Sequence, residues 1–236
     1  MRSYRYFDLV MATFVAVLLV SNIASSAKIV DAGFSLFGLR LSFDGGTLLF
    51  PLSYIFGDIL TEVYGYARSR RVIWTGFAMS LLMSGCLWLI QVLPGEEAWL
   101  QYAGDGAYGA ILGSVSSGTI VAASMLAYLF GEFSNSFILA KMKVWMQGRH
   151  LWVRTIGSTL VGEGLDTAVF ITLACLFGVF PWTIALSLIV SNYLLKVGIE
   201  VLFTPATYGI VGFLKKREQE DFYDRDTHFN PFLFRI

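Results

Sequence analysis

The sequence predicts an all-α integral membrane protein of six transmembrane helices with both termini in the cytoplasm, and three observations predict it. Of 236 residues, 56% are apolar and only 14% charged, against about 25% charged in an ordinary globular domain. Six stretches are apolar over the roughly 20 residues that a helix needs to cross about 30 Å of hydrocarbon. The basic residues fall almost wholly on one side of those stretches, which marks the cytoplasmic face. A formal net charge of +0 argues against a nucleic-acid surface, and the apolar content against disorder or a small disulfide scaffold.

The spans are expected at 7–27, 46–65, 72–93, 118–142, 154–177 and 182–214. The first is too long for the apolar core of a signal peptide. Pro51 and Gly57 interrupt the second, as in broken helices that line a protein-enclosed cavity. The sixth exceeds one straight crossing, and Pro205 removes a backbone donor where it should kink or end. Of 17 Lys and Arg residues, 14 lie on one face, Lys28 and Arg40 on the other, and Lys196 inside a span. An even number of spans returns the chain to the side where it began. Residues 1–217 therefore form the transmembrane domain and 218–236 a polar cytoplasmic tail.

Cys86 and Cys175 sit in apolar runs and read as small core residues. His150 and His228 lie in polar segments, so neither a metal site nor a cofactor site can be drawn. No phosphate-binding loop is present, and Gly162-Glu163-Gly164 lacks the serine of a nucleophile elbow. The chain does not read as an enzyme.

The informative residues are charges within spans. Asp58, Glu62, Glu132, Glu163, Asp166 and Glu200 meet one intramembrane base, Lys196. An unpaired carboxylate at mid-bilayer costs at least ~2.5–3.5 kcal/mol, so such groups face an interior, not lipid. Spacing agrees, because residues three or four apart share a helix face. Tyr54, Asp58 and Glu62 form one row, as do Glu132, Asn135 and Ser136. Thr159, Glu163 and Asp166 form a third, and Asn192, Lys196 and Glu200 a fourth.

Bland readings compete with the functional one. Lys196 could pair with Glu200 or Asn192 along its own helix, and Glu62 with the Arg68–Arg70–Arg71 cluster. Arg154 could anchor the interface or orient Glu163, and Asn22, Ser25 and Ser26 could serve helix packing. For Glu132, Asn135, Glu163 and Asp166 the functional reading is preferred, since no base can neutralise them all.

An acidic chamber suits a cation, or a neutral molecule with a row of N–H donors. A carboxylate accepts two parallel N–H bonds, as the N1–H and exocyclic amine of a guanine-like edge supply. Asn135 or Asn192 could serve the carbonyl, and Tyr54, Phe133, Phe137, Phe170 and Tyr193 could stack on the ring. Residue chemistry alone thus reaches a transporter of a small polar or cationic solute. Its protonatable acids permit proton coupling without demanding it.

Several ordered segments carry a family resemblance. They are the run from Phe50 to Gly65 containing Tyr54, Asp58 and Glu62, then Gly131-Glu132-Phe133-Ser134-Asn135-Ser136. Arg154 with Ser158 follows, then Gly162-Glu163-Gly164-Leu165-Asp166-Thr167, and Ser191-Asn192-Tyr193-Leu194-Leu195-Lys196 with Glu200 and Pro205. From Tyr6 to about Lys216 the chain resembles the queuosine precursor transporter family, also called the vitamin uptake transporter family. The resemblance implies import of 7-deazaguanine precursors of queuosine, a modified base of tRNA, across a bacterial inner membrane. The expected substrate is 7-cyano-7-deazaguanine, with its 7-aminomethyl relative beside it. It also implies a six-helix fold similar to the substrate-binding components of energy-coupling-factor transporters. The ligand residues it implies are Asp58, Glu132, Asn135, Glu163, Asp166, Asn192 and Lys196, with Glu132 and Glu163 first for the donor edge. The expected partners are the small-molecule substrate and the lipid bilayer, with no nucleic acid; homo-oligomer formation is left open. The alternatives are a binding subunit served by a separate ATPase, or an importer of another cationic or nucleobase-like vitamin.

Overall fold

The structure, a computed structural model, describes residues 4–36, 39–116, 118–178 and 180–233. Among these, eight α-helices follow one another: α1 (Phe7–Ala27), α2 (Phe50–Tyr64), α3 (Tyr66–Gln91), α4 (Glu97–Tyr102), α5 (Gly104–Ser116), α6 (Gly118–Trp145), α7 (Leu151–Leu176) and α8 (Trp182–Glu218). The segment between α1 and α2 adds an antiparallel hairpin, β1 (Ile29–Leu36) and β2 (Leu39–Asp44), with Ile29 opposite Asp44 and Leu36 opposite Leu39. The sequence predicts only connections here and over α4 and α5.

Helices α1, α3, α7 and α8 are long and apolar enough to cross a membrane. Their outer faces expose leucines and isoleucines such as Leu81, Leu82, Leu89, Ile90, Leu186 and Leu202, as expected of surface that meets lipid. Helix α6 has the length, 28 residues, but carries Glu132, Lys141 and Lys143. Helix α2 departs further from expectation. Its 15 residues rise only about 22 Å at 1.5 Å each, short of the hydrocarbon thickness. It is sheathed by protein, with Ile59, Leu60 and Val63 fully buried. Pro51 sits in its first turn, where the missing N–H costs nothing. Gly57 does not break it.

Pro205 does not end α8 either; the helix runs 37 residues to Glu218, and Thr204 donates to the Glu200 carbonyl just before the proline. Cys175 is buried, but Cys86 is exposed and not a core residue. Packing between α1, α2, α3, α6 and α8 centres on Phe14, Leu18, Ile59, Leu60, Ile73, Tyr128 and Leu214.

Residues 4–6 meet the end of α8 and the residues after it at one end of the bundle. The Tyr6 and Arg5 amides donate to the Glu218 carboxylate at 2.6 and 2.9 Å, and the Tyr4 hydroxyl to Glu220 at 2.7 Å. Residues 219–233 form no helix or strand, yet they are tied down. The Phe222 amide donates to the Val63 carbonyl, Arg70 to the His228 and Asn230 carbonyls, and the Trp74 indole to the Pro231 carbonyl. Gly65 turns between α2 and α3 at φ +85°, and a Cβ there would meet the Phe222 ring at 2.2 Å. Glycine is required twice over, for the left-handed backbone and for the docked tail.

Candidate functional site

Small residues set the geometry of the site. Where α6 crosses α7, a Cβ on Gly131 would lie 2.1 Å from the Tyr54 hydroxyl and 3.1 Å from the Gly162 carbonyl. A Cβ on Gly162 would lie 2.7 Å from the Asn135 Cβ. Backbones that close need glycine on both helices. The neighbours of these glycines, Glu132, Asn135, Glu163 and Asp166, are thereby delivered to one depth. Gly57 on α2 does the same from the third side, its notional Cβ 3.0 Å from the Glu132 Oε2.

A cavity of about 950 Å³, counting its opening to solvent, lies between the halves of α1, α2, α3, α6, α7 and α8 remote from the chain ends. Asn22, Ser25 and Ser26 line it from α1, Ser53 and Tyr54 from α2, and Ser80 and Ser84 from α3. Ser124 and Tyr128 line it from α6, Asp166, Thr167 and Phe170 from α7, and Asn192 and Lys196 from α8. Lys196 joins two walls, its Nζ 2.6 Å from Asp166 Oδ2 and 2.9 Å from Glu163 Oε2. It pairs with α7, not along its own helix to Glu200. It also lies 5.4 Å from the centre of the Phe50 ring. Asn192 Oδ1 accepts from the Thr47 hydroxyl at 3.3 Å.

Beneath the cavity is a layer of carboxylates excluded from solvent. Asp58, Glu132, Glu163 and Glu200 are all 0% exposed, and none of them lines the cavity. Asp58 Oδ1 accepts from the Asn135 amide at 2.7 Å. Asp58 Oδ2, Asn135 Oδ1, Glu163 Oε1 and both Glu200 oxygens meet no donor. Nor do the Glu132 oxygens; the adjacent Ser53 hydroxyl spends its proton on the Phe50 carbonyl at 2.7 Å. Buried polar atoms are nearly always satisfied in folded proteins, so this concentration of bare acceptors is unusual.

Glu62, one helical turn from Asp58, belongs to a different structure. The Arg154 guanidinium grips it with both terminal nitrogens, and Lys215 Nζ lies 2.6 Å from its Oε1. Lys143 Nζ donates to the Glu62 carbonyl and to Asp221 of the tail, each at 2.5 Å. Lys215 reaches the same Asp221 oxygen at 2.8 Å. Glu62 is thus the ion-paired residue expected, but with bases from α6, α7 and α8 and not the arginines of α3. Arg154 serves Glu62, not Glu163. This network seals the bundle on the side opposite the cavity mouth.

The seven residues predicted for the site divide into two tiers. Asp166, Asn192 and Lys196 stand in the cavity wall; Asp58, Glu132, Asn135 and Glu163 lie together under it. Of the aromatics suggested for stacking, Tyr54 and Phe170 line the cavity. Phe133 packs on Trp74 and Phe137 on Phe229, while the Tyr193 hydroxyl donates to the Leu160 carbonyl. Sequence reading missed Phe50 and the crossing glycines, although Gly131 and Gly162 each directly precede a singled-out glutamate.

Among the described residues no group of three or more His, Cys, Asp or Glu side chains is arranged to hold a metal ion. Proteins similar to this chain are transporters. A protein of Bacillus subtilis (strain 168) named "Probable queuosine precursor transporter" is 29% identical over 178 residues, 73% of this chain and 72% of the relative. The "Queuosine precursor transporter" of Escherichia coli (strain K12) is 23% identical over 194 residues, 80% of each chain. A Haemophilus influenzae protein named like the first is 26% identical over 172 residues, 70% of this chain and 67% of its own. No solved structure matches the chain significantly. The family model described as "Putative vitamin uptake transporter" matches residues 44–210, a stretch that contains the carboxylate layer, the crossing glycines and all of the cavity wall except its α1 residues. The chain belongs to this vitamin uptake transporter family and is a membrane transporter, not an enzyme.

Proposed function

We propose that the chain is a stand-alone importer of queuosine precursors in the bacterial inner membrane, with the cavity opening outward and both chain ends in the cytoplasm. The substrate is a 7-deazaguanine, 7-cyano-7-deazaguanine or its 7-aminomethyl relative. The names of the similar proteins support the class, and the one-sided Lys and Arg residues support the orientation. One observation carries the chemical reading: a cavity wall that holds an acid, Asp166, paired with Lys196, together with the Asn192 amide and the rings of Phe50, Tyr54 and Phe170.

A deazaguanine presents two parallel N–H groups on one edge and a carbonyl next to them. Asp166 accepts the donors, while Lys196 or the Asn192 amide serves the carbonyl. The aromatic faces hold the ring, a contact worth about 1–3 kcal/mol per base elsewhere. The lower tier, Glu163 and Glu132 with Asn135 and Asp58, offers bare acceptors to the same donor edge as the base moves inward. In alternating access the helices rock about a mid-membrane site, and the two tiers lie close enough together to serve one such site.

Equilibrium binding of 7-cyano-7-deazaguanine to the purified protein tests this. Asp166→Asn, Glu132→Gln and Glu163→Gln should each weaken binding by tenfold or more, since a hydrogen bond to a charged group is worth about 1.5–3 kcal/mol. Wild-type affinity in all three variants would remove the site. No binding by the wild-type chain would remove the substrate.

A further inference from the structure

One carboxylate in the layer has no place in the substrate reading. Glu200 lies on α8, one turn beyond Lys196 on the side away from the cavity, fully buried, with neither oxygen meeting a donor. Every base within reach is already committed. Lys196 holds Glu163 and Asp166, and Arg154, Lys143 and Lys215 hold Glu62. The acids that face Glu200 and its neighbour Asp58 come from three helices. They are Glu62 on the Asp58 helix itself, Glu132 from α6 and Glu163 from α7. The uncharged Asn135 is the one amide among them, and α1 carries a single acid, Asp8, in its first turn at the far base.

We propose that Glu200, with Asp58 beside it, is a proton-carrying site that couples substrate import to inward movement of a proton. The inference rests on the reading of the cavity as the substrate site. Its own support is a shortage of donors. Asp58 Oδ2, Asn135 Oδ1 and both Glu200 oxygens are four buried acceptors without a partner. A proton bound to a Glu200 oxygen removes one buried charge and supplies one O–H donor, which answers both deficits at once. A metal ion answers them less well, because no cage of acidic ligands is formed among the described residues.

The location suits coupling. Glu200 and Asp58 stand between the cavity and the Glu62–Arg154 seal, so a proton arriving through the outward mouth stops there while the seal is closed. The step is a simple transfer. A water-borne proton adds to a Glu200 carboxylate oxygen from the cavity side, the carboxyl group is neutral during the change of facing, and the same O–H bond releases its proton to the opposite side. One positive charge crosses with each molecule of the neutral 7-cyano base.

The experiment uses the purified full chain in sealed proteoliposomes, with 7-cyano-7-deazaguanine as the probe and a pH-sensitive dye inside. An acid exterior should raise the initial uptake rate at least fivefold and drive accumulation above the outside concentration, with inward proton flux when substrate is added. Glu200→Gln should bind substrate within twofold of wild type and still exchange internal for external substrate, yet accumulate none under the gradient. Glu200→Asp, which keeps a titratable group, should restore part of the accumulation and excludes a merely structural role. Wild-type accumulation that ignores the proton gradient, follows a sodium gradient, or survives in Glu200→Gln overturns the proposal.

Infrared difference spectroscopy supplies a readout that needs no substrate. The wild type should show a protonated carboxyl band that titrates with pH and is missing in Glu200→Gln, and its absence from the wild type also overturns the proposal. A titrating band with no binding or uptake in any condition would instead sink the substrate reading and leave the proton site standing.

Discussion

Arg154 and Glu62 show what a single pair of residues decides. Both side chains are essentially inaccessible, at 1% and 0% exposure, and their desolvation makes the pair weak as a source of net stability. Breaking it still costs stability, because Glu62 is left with Lys215 at 2.6 Å and Lys143 at 3.6 Å alone, a loss below the about 3–5 kcal/mol of a buried charge with no partner. Arg154→Met should therefore lower the thermal unfolding midpoint of the detergent-solubilised protein markedly. The double variant Arg154→Met/Glu62→Gln should recover part of the loss, since Lys143 and Lys215 keep Asp221 as an alternative partner. A double variant no more stable than the single would show that Arg154 acts through packing alone. The sequence made the burial of these charges legible but not their partners. Spacing along one helix suggests Lys196 with Glu200 or Asn192, and closeness in sequence suggests Glu62 with the arginines of α3; the structure pairs Lys196 with α7 and Glu62 with α6, α7 and α8 instead. Helical periodicity reports which face a residue occupies; the helix opposite that face is decided by tertiary packing.

Among the elements, the crossing of α6 and α7 positions the most chemistry with the fewest atoms. Gly131 has an ordinary helical backbone, so a methyl group there costs nothing in conformation and everything in space. It would sit 2.1 Å from the Tyr54 hydroxyl and 2.8 Å from the Asp166 Cβ. Gly131→Ala must displace α7 or the tyrosine, moving Asp166 in the cavity wall. Substrate affinity should fall at least tenfold along with the unfolding temperature. Gly198 on α8 is the control, for an added Cβ there meets nothing within 4 Å. Gly198→Ala should leave affinity unchanged and add roughly 0.4–1 kcal/mol of stability by restricting the unfolded chain. Equal losses in both variants would mean that helix propensity, not the close approach, governs the response. The long spans α1, α3, α7 and α8 were legible because about 20 apolar residues in a row have few other readings. The short α2 was not, because a helix buried by protein on all sides is as apolar as one buried by lipid. The β1–β2 hairpin was missed because it lies beyond the spans, where hydropathy carries no signal.

For the whole molecule, the consequential feature is that the two sides of the bundle are closed differently. The cavity side is open between the helices, whereas the other side is closed by ion pairs and by the tail. The Asp221 carboxyl, which bridges Lys143 and Lys215, is pushed up by burial, but the hydrogen bonds and charges of the two lysines outweigh that and hold it below the usual range. A depressed native value means that its stabilisation is complete above the unfolded value of roughly 3.9 and fades as pH falls through the lower native one. Asp224, which accepts the Tyr66 amide, is shifted the other way, chiefly by burial. Its ionised form opposes docking, and that cost is relieved as pH falls through its raised value. Near neutral pH the tail is thus held by Asp221 against a penalty at Asp224. Asp221→Asn should loosen the segment at pH 7 and raise its rate of cleavage by added protease. Asp224→Asn should cost less at pH 7 than Asp221→Asn, because it removes that penalty together with the contact. Protease added to sealed right-side-out and inside-out vesicles reads the outcome and the topology together. Cleavage in the tail is expected in the inside-out preparation alone, faster in Asp221→Asn than in wild type. Cleavage from the outer face would reverse the assigned orientation, and equal rates in both proteins would show that the lysine bridge does not hold the seal.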